Sequence, residues 1–280
     1  MSDLRETAIK AYKSGLSGAG SMVVQVSTLM WMRTIMNYQY RYGGTITHTA
    51  KTLYADGGIP RFYRGVSVAL LQGPMSRFGD TFSNTLALSL CNDAPILKDA
   101  PIFVKTGFAS ITAGLFRIGL MPVDTVKTSL QVNGRDGMAI LRDKMKTGGF
   151  RVFYNGSVAT ATATMVGHYP WFATYNYLNA YIPKYDASET LKNMGRNAGI
   201  GFTASVSSDT LSNSLRIVKT MKQSHPNPTI SYLKITEEIL AKDGYVGLFG
   251  RGLKMRLMTN GLQGMMFSVL WKYFETGNNH

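Results

Sequence analysis

Polar and apolar positions along this chain follow a helical period in six long stretches and three short ones. The long stretches run from about 10 to 38, 65 to 90, 100 to 132, 156 to 181, 191 to 224 and 252 to 275. The short amphipathic ones cover 45 to 54, 138 to 146 and 231 to 242. Tyr42-Gly43-Gly44, the segment from Asn92 to Lys98 with Pro95, and His225-Pro226-Asn227-Pro228 break the pattern between them. Small residues gather in the first long stretch of each third: Ser14 to Gly20, then Thr112-Ala113-Gly114, then Gly195, Gly199, Gly201 and Ala204. A glycine inside a solvated helix costs about 1 kcal/mol relative to alanine, so such clusters predict faces on which a neighbouring backbone packs closely. The expectation is an all-α chain.

The pattern also repeats on a larger scale. Arg33, Lys127 and Lys219 stand roughly 93 residues apart, each followed by threonine and, four residues on, by an amide: Asn37, Gln131 and Gln223. A second marker keeps the same period. Asp56-Gly57 leads to Phe62-Tyr63-Arg64-Gly65, Gly148-Gly149 to Phe153-Tyr154-Asn155-Gly156, and Asp243-Gly244 to Leu248-Phe249-Gly250-Arg251-Gly252. Two independent markers with one period predict a single domain, 1–280, of three tandem repeats covering about 8–98, 99–186 and 187–280. In the middle repeat, Pro122 removes a backbone donor inside a helical pattern and predicts a kink. Asp124 and Lys127, three residues apart, share one helix face.

These markers resemble the mitochondrial carrier family. In that family each repeat has a kinked first helix with Pro-x-Asp/Glu-x-x-Lys/Arg, a short matrix helix, and a second helix opened by aromatic-Arg/Lys-Gly. Only the middle repeat carries the first motif intact. The first has Thr28, Met30 and Arg33 at its proline, acid and base positions, and the third has Ser214, Arg216 and Lys219. The resemblance implies an all-α membrane protein, with six transmembrane helices in three repeats around a central cavity and short helices on the matrix side.

Composition is compatible with that reading without demanding it. Mean hydropathy is −0.04, and no uninterrupted apolar run reaches the ~20 residues that a lone span needs. Helices around a water-filled cavity escape this requirement, because only their outer faces meet lipid. A net charge of +14 fits either nucleic acid or anionic lipid and solutes. The basic residues are dispersed through apolar stretches and no nucleic-acid motif is present, so a nucleic-acid partner is not expected. The single cysteine, Cys91, excludes an internal disulfide and a cysteine-cluster metal site. His48, His168, His225 and His280 show no metal-ligand spacing, and no phosphate loop or nucleophile elbow is present. Neither an enzyme nor a resident cofactor or metal is expected.

The resemblance assigns the remaining residues. Asp124 facing Lys219 is the one orthodox matrix-gate bridge. Arg33 meets Arg216 where an acid is usual, and Lys127 meets Met30. On the cytoplasmic side the gate positions hold Thr85 and Leu88, Tyr175-Asn176 with Asn179, and Trp271-Lys272 with Glu275. Substrate positions, counted from Gly65, Gly156 and Gly252, include Gln72, Arg77, Thr164, His168, Asn260 and Gln263, with Arg117 and Asp209 from the first helices of the second and third repeats. Arg77 and Arg117 are the anion contacts, since arginine stays charged and grips carboxylates bidentately; Asp80 is an alternative partner for Arg77. His168 either tunes binding with pH or packs by a hydrogen bond. Gln72, Asn260 and Gln263 either contact substrate or join helices. Asp209 is an anion repeller, a cation site or the partner of Arg117. Arg64-Gly65, Asn155-Gly156 and Arg251-Gly252 stand where the family holds cardiolipin phosphates on helix N-termini. The implied protein is monomeric and moves a small carboxylate or zwitterion across the mitochondrial inner membrane, or another organelle membrane, by alternating access. The alternative is a transport-inactive membrane adaptor or receptor of the same fold.

Overall fold

A computed structural model describes residues 23–93, 102–186 and 189–277, in which every regular element is a helix. The small-residue face from Ser14 to Gly20 lies outside the described residues. So do the side chains of Arg77, Asp80, Thr85, Leu88, Trp271, Lys272 and Glu275. In chain order the helices are α1 (23–42), α2 (Ile46–Phe62), α3 (Val66–Asp93), α4 (Ile102–Gly119), α5 (Met121–Asn133), α6 (Gly137–Gly148), α7 (Ser157–Tyr181), α8 (Thr190–Ser224), α9 (Tyr232–Gly250) and α10 (Leu253–Gly277). Two short 3-10 turns, Gly134–Asp136 and Gly149–Tyr154, flank α6. Among the described residues no helix is long and apolar enough to cross a membrane by the hydropathy of a single span.

The kink expected at Pro122 appears as a one-residue interruption of the helix at Leu120. The helical pattern from 100 to 132 folds as α4 and α5, which meet at Leu120 (φ −84, ψ −4). Pro122 then occupies the first turn of α5, where its missing N–H has no intrahelical partner to lose. The other first helices lack the proline and do not break: α8 runs 35 residues through Ser214, and α1 runs through Thr28.

Two of the short helices, α2 and α9, are longer than their patterns because each continues past a glycine, while α6 stops at Gly148 and a 3-10 turn follows. Gly58, Gly149 and Gly244 all take positive φ, near +60°, and turn the chain before the second marker. The recurring glycine of the first repeat is therefore Gly58 rather than Gly57. Beside two of these turns the marker aspartates hold arginines: Asp56 Oδ2 lies 2.5 Å from Arg61 Nε, and Asp243 Oδ2 lies 2.7 Å from Arg251 Nη2.

Successive repeats are joined in a closed ring. The glycine before each second helix has positive φ, +82° at Gly65, +88° at Gly156 and +65° at Gly252, a conformation costly for any other residue. Each also abuts the next repeat's first helix. A Cβ on Gly65 would lie 3.5 Å from Lys127 O, one on Gly156 3.1 Å from Lys219 O, and one on Gly252 3.2 Å from Met36 O and 2.7 Å from the Tyr40 ring. Cations from the short helices complete the ring by capping helix C-termini, where carbonyls lack intrahelical partners. Arg61 of α2 donates to Gln131 O and Val132 O at 2.9 Å. Lys144 of α6 donates to Gln223 O at 2.8 Å, and Lys242 of α9 to Tyr42 O at 3.0 Å. Burial, with the charges of Arg41 and Lys222 nearby, pushes the Lys144 ammonium down to about 8.

Apolar packing sits at the same junctions. Tyr40, Ile217, Met221, Ile235 and Ile239 join α1, α8 and α9, while Leu29, Met32, Ile35, Leu53 and Met255 join α1, α2 and α10. The small-residue faces differ in use. Gly114 of α4 packs on Ala161 of α7, whereas a Cβ on Gly195, Gly199 or Gly201 of α8 would meet nothing within 4 Å, and only Ala204 of that cluster is buried. Polar side chains such as Thr125, Gln131, Ser212 and Asn213 lie inside. Phe108, Ile111 and Leu115 stand exposed along one face of α4, and Met165, Val166 and Tyr169 on α7. Both the interior and the outer faces thus mix polar and apolar side chains.

Candidate functional site

The first helices of the three repeats meet at one cavity, where the basic residues of the second and third share one carboxylate. Asp124, buried on α5, accepts from Lys127 Nζ at 2.8 Å through Oδ1 and lies 2.6 Å from Lys219 Nζ through Oδ2. Gln223 Nε2 adds a bond to Oδ2 at 3.1 Å and another to Thr125 Oγ1. Asp124 thus faces Lys219 as the motif register predicts, but Lys127 is not left without an acid. It shares Asp124 and donates to Gln72 Oε1 at 3.1 Å. The recurring amides join neighbouring repeats: Asn37 Nδ2 donates to Gln131 Oε1 at 2.5 Å, and Gln131 Nε2 reaches Met30 Sδ at 3.4 Å.

Above this ring opens a cavity of about 380 Å³, within the range that holds a small metabolite. Its lining carries six cations, Arg33, Arg117, Lys127, Arg216, Lys219 and Arg256, with Asp124 as the acid among them. Gln72, Ser76, Thr259, Asn260 and Gln263 supply neutral donors and acceptors. Residues that the sequence divides between a gate and a substrate site therefore share one space, because Gln72 of α3 and Lys127 of α5 touch across it.

Three substrate positions, Asp209, Thr164 and His168, are engaged within the protein, His168 by the hydrogen-bonded packing that was one of its two readings. Asp209 is the partner of Arg256, at 2.7 Å through Oδ1, rather than of Arg117, and it also accepts a bond from Asn260 Nδ2. Thr164 is buried and gives its hydroxyl to Thr160 O of its own helix, the usual way a threonine hides a polar group inside α-structure. His168 meets Ser110 Oγ through Nδ1 at 2.8 Å and packs edge-on against Phe172. Neither Thr164 nor His168 lines the cavity. The Arg77 side chain lies outside the described residues.

Arg256 is the residue that the sequence reading missed. It stands one turn after Gly252, just before the counting window used for substrate positions, on the stripe that continues through Thr259, Asn260 and Gln263. A helix period carried back by one turn reveals it.

The lipid positions are engaged within the protein. Arg251 is buried against Asp243, and its Nη1 faces Met221 Sδ. Asn155 Nδ2 donates to Pro228 O at 3.1 Å. A Cβ on Gly65, Gly156 or Gly252 would point into the neighbouring repeat. On the opposite side, Asn179 accepts Arg196 Nη1 at 2.9 Å, while Arg196 also holds Ile182 O and Pro183 O at the end of α7. Arg196 thus caps α7, and the gate position Asn179 is bound to that cap.

Comparison with known proteins agrees with the architecture. The family described as "Mitochondrial carrier protein" matches residues 100–186 and 191–277, the second and third of the sequence repeats. The chain is 30% identical over 124 residues to mitochondrial substrate carrier family protein A of Dictyostelium discoideum, covering 43% of this chain and 37% of that protein. It is 26% identical over 214 residues to protein S of the same family and organism, covering 69% and 71%. The calcium-binding mitochondrial carrier SAL1 of Saccharomyces cerevisiae is 26% identical over 235 residues, 73% of this chain and 42% of that protein. The chain thus spans less than half the length of two of these relatives. With two repeats matched over more than half its length, the chain belongs to the mitochondrial carrier family.

Proposed function

We propose that this protein moves a small anionic metabolite, a carboxylate in the first instance, across the mitochondrial inner membrane by alternating access. The three repeats, about 8–98, 99–186 and 187–280, would contribute six spans: α1, α3, α4 with α5, α7, α8 and α10. Membership in a carrier family supports the transport reading, and the outward apolar faces of α4 and α7 support a lipid surround. The cavity with its six cations is the observation that carries the substrate class. A zwitterion is the weaker choice, because both acids near the cavity are already engaged, Asp124 by two lysines and Asp209 by Arg256. The Asp124 cluster would close the matrix end.

Uptake of labelled mono-, di- and tricarboxylates and amino acids into liposomes containing the purified protein tests this. Carboxylate uptake that is lost in Arg117→Ala while the protein stays folded is the expected result. Uptake at background for every solute would instead favour the transport-inactive adaptor. Anion uptake untouched by Arg117→Ala would remove that residue from the pathway.

A further inference from the structure

A second cavity, of about 350 Å³, opens where α1 and α2 of the first repeat meet α5 and α6 of the second, and it shares no lining residue with the cavity above the Asp124 ring. Its size is within the range that holds a small organic molecule. One side is aromatic and aliphatic. Tyr38 and Tyr42, one turn apart on α1, set their ring centroids 4.6 Å apart, and Leu53 and Ile140 continue the apolar surface. The Tyr42 ring already takes a cation, with the Arg41 guanidinium 5.6 Å from its centroid.

The polar side offers acceptors and few donors. Arg61 is the cation among the lining residues, and each of its three nitrogens is already donating: Nε to Asp56, Nη1 to Gln131 O and Nη2 to Val132 O. Asp56 and Arg61 offset each other. Asn133 donates through Nδ2 to Ser129 Oγ, which leaves its carbonyl oxygen as an acceptor. Asp136 stands at the N-cap of α6, where a carboxylate ordinarily accepts from the first turn. Its backbone is helical there (φ −81, ψ −6), and its side chain makes no cap bond and no other hydrogen bond or ion pair among the described residues. The wall thus carries one negative charge beyond its internal pair.

We propose that this crevice binds a primary organic ammonium, with the –NH3+ group on Asp136, Asn133 and the second oxygen of Asp56 and the carbon chain on Tyr38, Tyr42, Leu53 and Ile140. Three N–H donors match three acceptors, two of them charged. An anion would meet Asp136. A metal ion would make no use of the apolar side, and a quaternary ammonium would use the rings but not the acceptors. The other cavity, with six cations in its wall, disfavours an ammonium. Because the walls of the crevice come from two repeats, its ligand favours the conformer in which these repeats are joined. On the transport reading of the protein, which this consequence rests on, the bound amine slows the cycle from outside the substrate path.

Thermal stability of the detergent-purified full chain tests the site, with n-butylammonium, tetramethylammonium or magnesium chloride replacing sodium chloride at fixed ionic strength and pH 7. A ligand of the folded state raises the melting temperature saturably. Butylammonium should do so in the millimolar range, tetramethylammonium less, and magnesium not at all. Asp136 is exposed, and Asp136→Asn keeps a side chain suited to an N-cap, so the variant should fold. It should bind butylammonium ~5-fold more weakly, as expected for one solvent-exposed charge contact, and Asp136→Glu should bind it as wild type does. Butylammonium should also slow carboxylate uptake into liposomes by wild type more than by Asp136→Asn at the same concentration. An unchanged response in Asp136→Asn would place the amine elsewhere and overturn the site, as would a wild type indifferent to butylammonium. Magnesium acting as strongly as the amine would overturn the ligand class. Amine binding that leaves uptake unchanged would overturn the coupling to the cycle. None of these results touches the anionic substrate reading, which is judged by carboxylate uptake without amine.

Discussion

Removing the charge of Asp124 tests the gate directly. Its side chain is 8% exposed and holds Lys127 at 2.8 Å and Lys219 at 2.6 Å, while Gln223 bonds the same group. Asp124→Asn keeps the shape and one acceptor for Gln223, so packing is nearly untouched and the loss is electrostatic. Breaking a buried pair by removing one partner costs about 3–5 kcal/mol, because the other charge is left behind. Both lysines retain some solvent contact, with side-chain exposures of 16% and 20%, which places the loss near the lower figure. About 3 kcal/mol is a factor of ~10² in an equilibrium. The conformer described here should therefore be depopulated by that factor, seen as a lower melting temperature and slower uptake with a smaller change in substrate affinity. The charge exchange Asp124→Lys with Lys219→Asp should restore part of the loss. It should be made in a Lys127→Gln background, since otherwise the introduced lysine meets Lys127 one turn away. If Asp124→Asn melts and transports like wild type, or the exchange is as inactive as the single changes in folded protein, the bridge does not gate.

Three further outcomes follow from other contacts. Gly252→Ala should cost about 2–4 kcal/mol, from positive φ and the Tyr40 ring, with the same loss in melting temperature with and without cardiolipin; a loss seen only with cardiolipin would restore a lipid role. Gly195→Ala, whose Cβ meets no atom within 4 Å, should be neutral or stabilise by about 1 kcal/mol, and a large loss would mean that this face is covered. Lys144 is depressed to about 8 by burial. The unfolded chain therefore holds its proton to higher pH than the folded one, and stability rises as pH passes from 8 toward 10.5. Wild type should gain a few degrees on Lys144→Met between pH 7 and 9.5, and parallel pH profiles would refute the shift.

What the sequence made legible were the features that repeat. The period carried by Gly65, Gly156 and Gly252 places the starts of α3, α7 and α10 one residue after each glycine, because a positive-φ glycine admits few substitutes and leaves a mark in the chain. The Asp124–Lys219 pairing was legible for the same reason, through motif register. What stayed hidden were contacts that differ from repeat to repeat. Arg61, Lys144 and Lys242 cap helix ends around the ring, yet they stand at different distances from their closing glycines, since any long cation near a helix C-terminus can reach its carbonyls.

The same contrast explains the error about Lys127. Register named Met30 as its partner and so left it without an acid, but register compares one repeat with the next and is blind to neighbours within a repeat. Asp124, three residues away on one helix face, was closer than any inter-repeat partner. Sharing one carboxylate between two lysines is what the loss of the other two acids forces on this ring. It also makes Asp124 the single residue on which all three repeats depend: directly for the second through Lys127 and the third through Lys219 and Gln223, and for the first through Asn37, Gln131 and the turn of α5 that joins them. In a symmetric ring of three bridges the loss of one leaves two, and the closed end weakens by steps. Here the loss of one acid removes both lysine bridges at once, so closure should respond more sharply to changes at Asp124 than to changes at either lysine.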